Sequence, residues 1–212
     1  MNISENIQKI KKDLPTGVDL VAVSKTQPHS KIKEAYDSGH KIFGENKVQE
    51  LNEKYEKLPK DIRWHMIGHL QTNKVKYIAP FIDLIHAVDS EKLLKEIDKR
   101  AFQNNRKIDC LLQIHIATEN TKFGFSENEA NKILLRKEEY KNVNIRGLMG
   151  MATFTNNNIQ IKEEFDYLSN IYNKYKDLNT LSMGMSGDYK IAIESGSTMV
   201  RVGSTIFGNR NY

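Results

Sequence analysis

Eight short apolar segments recur along this chain and alternate with longer stretches of helical periodicity. This alternation constrains the fold more than any other feature, because strands separated by helices form parallel βαβ units. The predicted strands span residues 20–24, 41–44, 64–68, 84–88, 110–116, 145–151, 181–185 and 199–203. Eight such units favour closure into a single α/β domain of the (β/α)₈ TIM barrel type.

Signals at the starts of predicted helices support this alternation. Residues 3–13 form an amphipathic stretch before the first strand, so this N-terminal helix is additional to the eight units. Ser90 precedes a second amphipathic segment, and Ser126 is followed by Glu129 in the pattern of a capping box. An open, doubly wound sheet is the alternative, but its Gly-x-Gly-x-x-Gly sequence does not follow the first strand.

Length and composition indicate one domain that covers residues 1–212. No segment reaches the roughly 18 consecutive apolar residues of a membrane span. The N-terminus lacks the basic and apolar segments of a secretory signal, so we expect a cytoplasmic protein without membrane contact. Cys110 is the single cysteine, which excludes an internal disulfide and gives no indication of a zinc site.

The net charge of +5 is spread along the chain, with lysines interspersed among acidic residues. This pattern favours a solvated helical surface over a nucleic-acid-binding face, and we expect no nucleic-acid partner. His65 and His69 are four residues apart, but they flank a strand end and lack a carboxylate pair. No metal site is therefore predicted.

Lys25 directly follows the first predicted strand, and chemistry in (β/α)₈ barrels lies at the C-terminal ends of the strands. Val21, Val23 and Lys25 share one face of that strand. If the two valines fill the barrel interior, Lys25 points into the mouth of the barrel. Partial burial there favours the neutral amine, which can attack a carbonyl carbon. The alternative is an ordinary exposed lysine in a loop.

Small residues follow the last two predicted strands, with Ser186 and Gly187 after the seventh and Gly203 and Ser204 after the eighth. Backbone N–H groups and serine hydroxyls at such positions can bind a phosphate, which this fold often places after strands seven and eight. The glycines would alternatively only shape turns. Together with Lys25, they predict a site for a phosphorylated carbonyl compound.

Arg201 is predicted to face the barrel interior, because Val200 and Val202 on either side would face the helices. An inward arginine needs an acceptor, which leaves three alternatives: a phosphate, the pyridine nitrogen of a cofactor, or a buried ion pair. Asn46 follows the second predicted strand, where it would either touch a ligand or cap the next helix.

Six segments from one end of the chain to the other form a specific pattern: residues 21–25 (VAVSK), 43–46 (FGEN), 64–74 (WHMIGHLQTNK), 147–151 (GLMGM), 181–186 (LSMGMS) and 196–203 (GSTMVRVG). In these segments the chain resembles the pyridoxal phosphate homeostasis protein family. The resemblance implies a barrel like the N-terminal domain of bacterial alanine racemase. It also implies pyridoxal 5'-phosphate (PLP) as the cofactor, bound as a Schiff base on Lys25, with Ser186, Arg201, Gly203 and Ser204 in the cofactor pocket.

The resemblance further implies a role in PLP homeostasis. Members of the family are regarded as carriers or regulators of the cofactor that affect amino-acid and keto-acid balance. We therefore expect a monomeric, non-catalytic PLP-binding protein whose partners are PLP-dependent apo-enzymes.

Two enzymatic alternatives stay open at this point. A PLP-dependent amino-acid racemase needs acid–base groups on both faces of the substrate carbanion. In alanine racemase the second group is a tyrosine of the partner subunit, in chains that carry a further C-terminal β-domain. This sequence ends at Tyr212, eight residues after Ser204, so we expect no such domain and favour the carrier. An aldolase that uses Lys25 on a sugar phosphate fits the site chemistry but not the resemblance.

Overall fold

The computed structural model describes residues 2–119 and 123–208. The strands in chain order are β1 (Asp19–Val23), β2 (Ile42–Glu45), β3 (Arg63–Met66), β4 (Leu84–Val88), β5 (Ile108–Gln113), β6 (Val143–Met149), β7 (Thr180–Ser182) and β8 (Met199–Val202). The helices are α1 (Ile3–Asp13), α2 (His29–Asp37), α3 (Val48–Lys57), α4 (Val75–Ile78), α5 (Glu91–Gln103), α6 (Glu127–Leu135), α7 (Asn158–Tyr172), α8 (Tyr189–Glu194) and α9 (Ser204–Phe207). Short 3₁₀ helices span Thr72–Lys74 and Lys137–Glu139.

The strands form a closed, parallel barrel in which each strand pairs with the next and β8 pairs with β1. The predicted TIM barrel is therefore confirmed. The additional N-terminal helix is also present, since α1 precedes β1 and packs beside α2 and α9. Asn6 on α1 donates a hydrogen bond to the Ile206 carbonyl at 2.9 Å, which ties the first helix to the last. The ends of the predicted domain, residue 1 and residues 209–212, lie outside the described residues.

Alternate residues of each strand face the barrel interior or the surrounding helices. On β1, Leu20 and Ala22 belong to the large core between strands and helices, whereas Val21 packs in a smaller cluster inside the barrel. On β8, Val200 and Val202 belong to the outer core. Arg201 therefore faces inward, as the alternation predicted.

Several strands end earlier than the apolar pattern predicted. β5 ends at Gln113 instead of residue 116, β6 at Met149 instead of residue 151, and β7 at Ser182 instead of residue 185. Ile116 and Met183 lie beyond these ends and are nevertheless buried. Because burial continues into the loops above the barrel, apolar character does not mark where strand pairing stops.

The predicted helix caps are present. Ser126 and Glu129 form a reciprocal capping box at the start of α6. Ser90 accepts a hydrogen bond from the Leu93 N–H at the start of α5. Among the described residues, no helix combines the length and the apolar character needed to cross a bilayer.

Candidate functional site

A cavity of about 610 Å³ opens at the C-terminal ends of the strands. Its volume lies within the roughly 300–1,000 Å³ that is usual for small-molecule sites. The lining residues are Val23, Lys25, Asn46, Ile67, Met151, Phe154, Met185, Ser186, Gly187, Arg201, Gly203 and Ser204. The structure thus brings together all six residues predicted for the site, although their contact with a ligand stays a prediction.

Lys25 lies two residues beyond β1, half-buried, in a turn whose backbone is held from both sides. The Lys54 ammonium donates to the Ser24 carbonyl at 2.7 Å, and the Thr26 N–H donates to Glu50 Oε1 at 2.6 Å. Thr26 adopts a φ of +63°, which is uncommon for a residue other than glycine. The turn that presents Lys25 is therefore fixed by side chains of α3.

A buried ionic cluster lies beneath this turn. The Lys54 ammonium is 2.7 Å from Glu45 Oε1 and 2.6 Å from Glu50 Oε1, and the Ser24 hydroxyl donates to the same Glu45 oxygen at 2.5 Å. Burial raises the pKa of Glu45 to about 7, against the opposing effect of Lys54. The cluster anchors the Lys25 turn, and sequence reasoning assigned it no role.

Small residues form the part of the wall that follows β7 and β8. The Gly203 N–H donates to the Ser186 hydroxyl at 3.1 Å, so the two loops are in direct contact. A Cβ at Gly203 would lie 3.3 Å from the Val23 carbonyl oxygen, which leaves room for little more than glycine. Gly184, with a φ of +93°, turns the chain after β7 and brings Ser186 to the cavity. The serine hydroxyls of this wall are donors that suit an anion.

Arg201 forms the floor of the cavity and is buried. It pairs in register with Val21, one inward position below Val23. Its two terminal nitrogens donate to the Ser182 hydroxyl and, at 3.1 Å, to the Gly150 carbonyl. Burial lowers the pKa of Arg201 to about 10, so the guanidinium is still charged at neutral pH.

Ser182 joins Arg201 to two buried histidines that sequence reasoning did not connect. Ser182 Oγ lies 3.0 Å from His86 Nδ1, and His86 Nε2 lies 3.0 Å from His65 Nδ1. His65 Nε2 lies 3.2 Å from Asp83 Oδ2. A signal was available, because a serine and histidines at inward positions of apolar strands need buried partners.

Asn46 lies immediately after β2 and faces the cavity. The N-cap of α3 is Lys47 instead of Asn46, so the capping alternative does not hold. A Cβ at Gly68 would lie 2.5 Å from the Asn46 carbonyl oxygen, so the loop after β3 approaches this backbone closely. That approach places Asn46 at the rim, where its amide can meet a ligand.

His65 and His69, the two histidines that are four residues apart, have different environments. His65 bonds within the barrel, whereas His69 Nδ1 lies 2.7 Å from Asp89 Oδ2 and its ring stacks on Phe123. Within residues 2–119 and 123–208, no group of three or more His, Cys, Asp or Glu side chains is arranged to hold a metal ion.

Comparison with known proteins gives consistent results over the full length of the chain. The profile of the family "Alanine racemase, N-terminal domain" matches residues 1–211. The pyridoxal phosphate homeostasis protein of Aquifex aeolicus is 40% identical over 99% of this chain and 96% of its own length.

Solved structures agree. PipY of Synechococcus elongatus PCC7942, solved with PLP bound, superposes with a TM-score of 0.89 at 33% identity and covers 98% of this chain and 100% of PipY. Alanine racemase from E. faecalis shares the fold, with a TM-score of 0.76 at 16% identity over 98% of this chain and 58% of the racemase. The chain therefore belongs to the alanine racemase N-terminal domain family and, within it, to the pyridoxal phosphate homeostasis proteins.

Proposed function

We propose that this chain binds PLP in the cavity at the C-terminal end of the barrel, attached through Lys25, and that it holds the cofactor for PLP homeostasis instead of using it in catalysis. The observation that carries the proposal is the convergence of an amine, two serine hydroxyls, two glycines and a guanidinium on one cavity. PipY, which shares the fold at 33% identity, has been solved with PLP bound.

The donor set fits the chemical parts of PLP. When bound, the cofactor supplies an aldehyde that a lysine amine can attack and an electron-poor ring. Lys25 is the amine, and Val23, Ile67 and Met151 offer apolar surface to a flat ring. Ser186 and Ser204 offer hydroxyl donors to a phosphate, and the Gly203 N–H, which donates to the Ser186 hydroxyl in the structure, orients that hydroxyl.

Arg201 is better placed for the ring nitrogen than for the phosphate. It lies at the level of Val21, below the loop residues Gly203 and Ser204 that would hold the phosphate. A guanidinium at the ring nitrogen leaves that nitrogen unprotonated, because two positive charges in contact would repel each other. An unprotonated ring withdraws electrons less well, which disfavours carbanion chemistry and supports a carrier.

The composition of the cavity wall also supports a carrier over a racemase. Among the described residues that line it, Lys25 is the one side chain suited to act as a general base, and His, Tyr, Cys, Asp and Glu do not occur. A racemase requires a second acid–base group on the opposite face of the substrate, and such groups typically contribute about 10²–10⁴-fold to the rate.

We extend the proposal to the cellular setting of the protein. Residues 1–212 would act as one monomeric domain that passes PLP to PLP-dependent apo-enzymes in the cytoplasm. The single cysteine, Cys110, is free and buried in β5, which suits a reducing compartment.

Borohydride reduction followed by peptide mapping tests the attachment point. The full chain loaded with PLP should carry a stable adduct on Lys25, and Lys25→Ala should lose both the adduct and the visible absorption band. Lys47→Ala removes an exposed lysine two positions after β2 and should keep both. An adduct on another lysine of the unchanged chain would contradict the site.

Exchange of the α-proton of alanine in deuterated water separates a carrier from a racemase. We expect no exchange at ordinary enzyme rates of about 1–10³ per second. We also expect transfer of PLP from the loaded protein to an apo-enzyme in a mixed assay. Exchange at those rates would make the racemase the better assignment.

A further inference from the structure

A row of polar side chains crosses the interior of the barrel, from the cavity floor to the opposite end. It runs from Arg201 on β8 through Ser182 on β7 and His86 on β4 to His65 on β3, and it ends at Asp83. The serine and both histidines are fully buried. Asp83 directly precedes β4, at the N-terminal end of the barrel, and its side chain is 35% exposed.

The two ends of the row dictate where its protons lie. An arginine can only donate hydrogen bonds, and an ionised carboxylate can only accept them. Asp83 is ionised at neutral pH because, although partial burial acts the other way, His65 and Arg63 lower its pKa to about 2. The row therefore has a fixed donor at its Arg201 end and a fixed acceptor at its Asp83 end, and the hydrogen bonds between them must fit both.

One neutral arrangement satisfies all of these bonds. Ser182 accepts from Arg201 and donates to His86 Nδ1, His86 donates from Nε2 to His65 Nδ1, and His65 donates from Nε2 to the Asp83 carboxylate. Both histidines are then neutral and carry their proton on Nε2. Burial lowers the pKa of His65, and it lowers that of His86 well below the usual value, which agrees with neutral rings.

We propose that Ser182, His86, His65 and Asp83 are positioning residues for Arg201, which act as a one-directional row of hydrogen bonds from the guanidinium to a carboxylate at the far end of the barrel. The row fixes the guanidinium at the cavity floor, because its Ser182 partner has its own proton committed to His86. Aligned hydrogen bonds also polarise one another, which helps to stabilise the buried positive charge. The effect on PLP rests on the proposed function, whereas the proton arrangement does not.

Nitrogen-15 NMR of the histidine rings tests the row in the full chain without added ligand. His65 and His86 should both appear as neutral Nε2–H tautomers, with signals assigned through His65→Asn and His86→Asn. Ser182→Ala should shift the His86 signals most and those of His65 less, and Ser182→Thr, which restores a hydroxyl, should reverse the shift. An Nδ1–H tautomer at either ring, or a His65 protonated on both nitrogens, would overturn the proposal.

A second readout uses the visible absorption band and the affinity for PLP. Asp83→Asn should shift the ring signals of His65 and His86, move the band and weaken PLP binding roughly tenfold, about the effect of one hydrogen bond. Asp109→Asn is the matched control. It removes a partly exposed carboxylate at the same end of the barrel, paired with Arg146 at 2.9 Å but outside the row, and should change none of these.

The outcomes separate this inference from the proposed function. Failure of the unchanged chain to form a PLP adduct would contradict the proposed function, while the NMR result would still decide the row. Normal PLP binding, with an unmoved band in both Ser182→Ala and Asp83→Asn, would show that Arg201 does not depend on the row and would overturn the inference.

Discussion

Lys54 is an unusual lysine because its ammonium group lies inside the protein, under the turn that presents Lys25. It donates to the Ser24 carbonyl and to two carboxylates, those of Glu45 and Glu50. Removal of one member of a buried ion pair leaves an uncompensated charge, which is strongly destabilising. The same contacts help to hold Thr26 in its strained backbone conformation, which costs on the order of 1–3 kcal/mol.

Substitution of this single residue should therefore affect both stability and the site. Lys54→Met keeps the length of the side chain but removes its charge. We expect the free energy of unfolding in urea to fall by about 3–5 kcal/mol, together with a reduced yield of the Lys25 adduct.

Lys57→Met on the same helix is the matched control, because the Lys57–Glu53 pair is exposed and i,i+4. Exposed pairs of this kind contribute little to stability, so this variant should lose little. Equal losses of stability in the two variants would show that the buried ion pairs of Lys54 stabilise the fold no more than the exposed Lys57–Glu53 pair does.

At the scale of residues, the sequence predicts positions better than partnerships. Alternation along β1 and β8 places Lys25 and Arg201 correctly, since strand geometry alone decides the face that each residue occupies. The burial of Lys54 could not be predicted in the same way. Helical spacing places Lys54 beside the apolar stripe of Val48 and Leu51, but it does not show that the ammonium group is buried, and its partner Glu45 lies on a different element.

The contact between β6 and β7 depends on one glycine. Strand pairing runs from Ile145 to Gly147 with Arg146 left out of register, so β6 carries a bulge at this point. Gly147 then lies directly against Thr180, where an added Cβ would come within 1.7 Å of the Thr180 carbonyl oxygen. Backbone atoms cannot rotate away as a side chain can, so any larger residue must push the two strands apart.

Gly147→Ala should consequently weaken closure of the barrel. We expect a loss of about 3 kcal/mol or more in the free energy of unfolding, at the upper end of the usual cost of overpacking. Gly187→Ala serves as the comparison, since a Cβ there meets nothing within 4 Å and should change the stability little. Comparable urea midpoints for the two variants would contradict the close approach at β6.

Existence and order of the elements were predictable from the sequence, whereas their ends were not. Residues 3–13 match α1 because Asn2 and Glu5 form a capping box that marks its start. β5 has no such signal at its end, since Ile114 and Ile116 continue the apolar pattern while buried in the loop above the barrel. Capping residues therefore locate helix starts more reliably than apolar residues locate strand ends.

The molecule as a whole buries several titratable groups, and burial shifts their pKa values toward the neutral form. Burial lowers the pKa of His40 to about 4, lowers that of His65, and lowers that of His86 well below its usual value. Burial raises the pKa of Glu45 to about 7. His65 and His86 are neighbours inside the barrel, whereas His40 and Glu45 lie elsewhere in the fold. Their combined effect is a property of the whole protein because unfolding exposes all of them together.

Stability should decrease as the pH falls from 6 to 5. In this range the unfolded chain, with histidine pKa values near 6.5, binds protons that the buried His40 and His86 do not bind in the folded state, and the lowered pKa of His65 adds to this difference. Each such proton makes stability rise with pH by up to about 1.4 kcal/mol per unit. Glu45 acts in the opposite direction, because its raised pKa lets the folded state bind a proton that the unfolded state releases. The net difference of up to two protons gives a slope of up to about 2.7 kcal/mol per pH unit.

Urea denaturation of the ligand-free chain at pH 5.0, 5.5 and 6.0 measures this slope. Two variants show how much of the slope comes from His40 and how much Glu45 opposes it. His40→Gln should make the slope shallower, because one proton no longer differs between the folded and unfolded states. Glu45→Gln should make the slope steeper, because it removes the one group among these four that opposes the histidines. A free energy of unfolding that is the same at pH 5 and pH 6 would contradict this prediction, because it would mean that the buried histidines bind protons in the folded protein over this pH range.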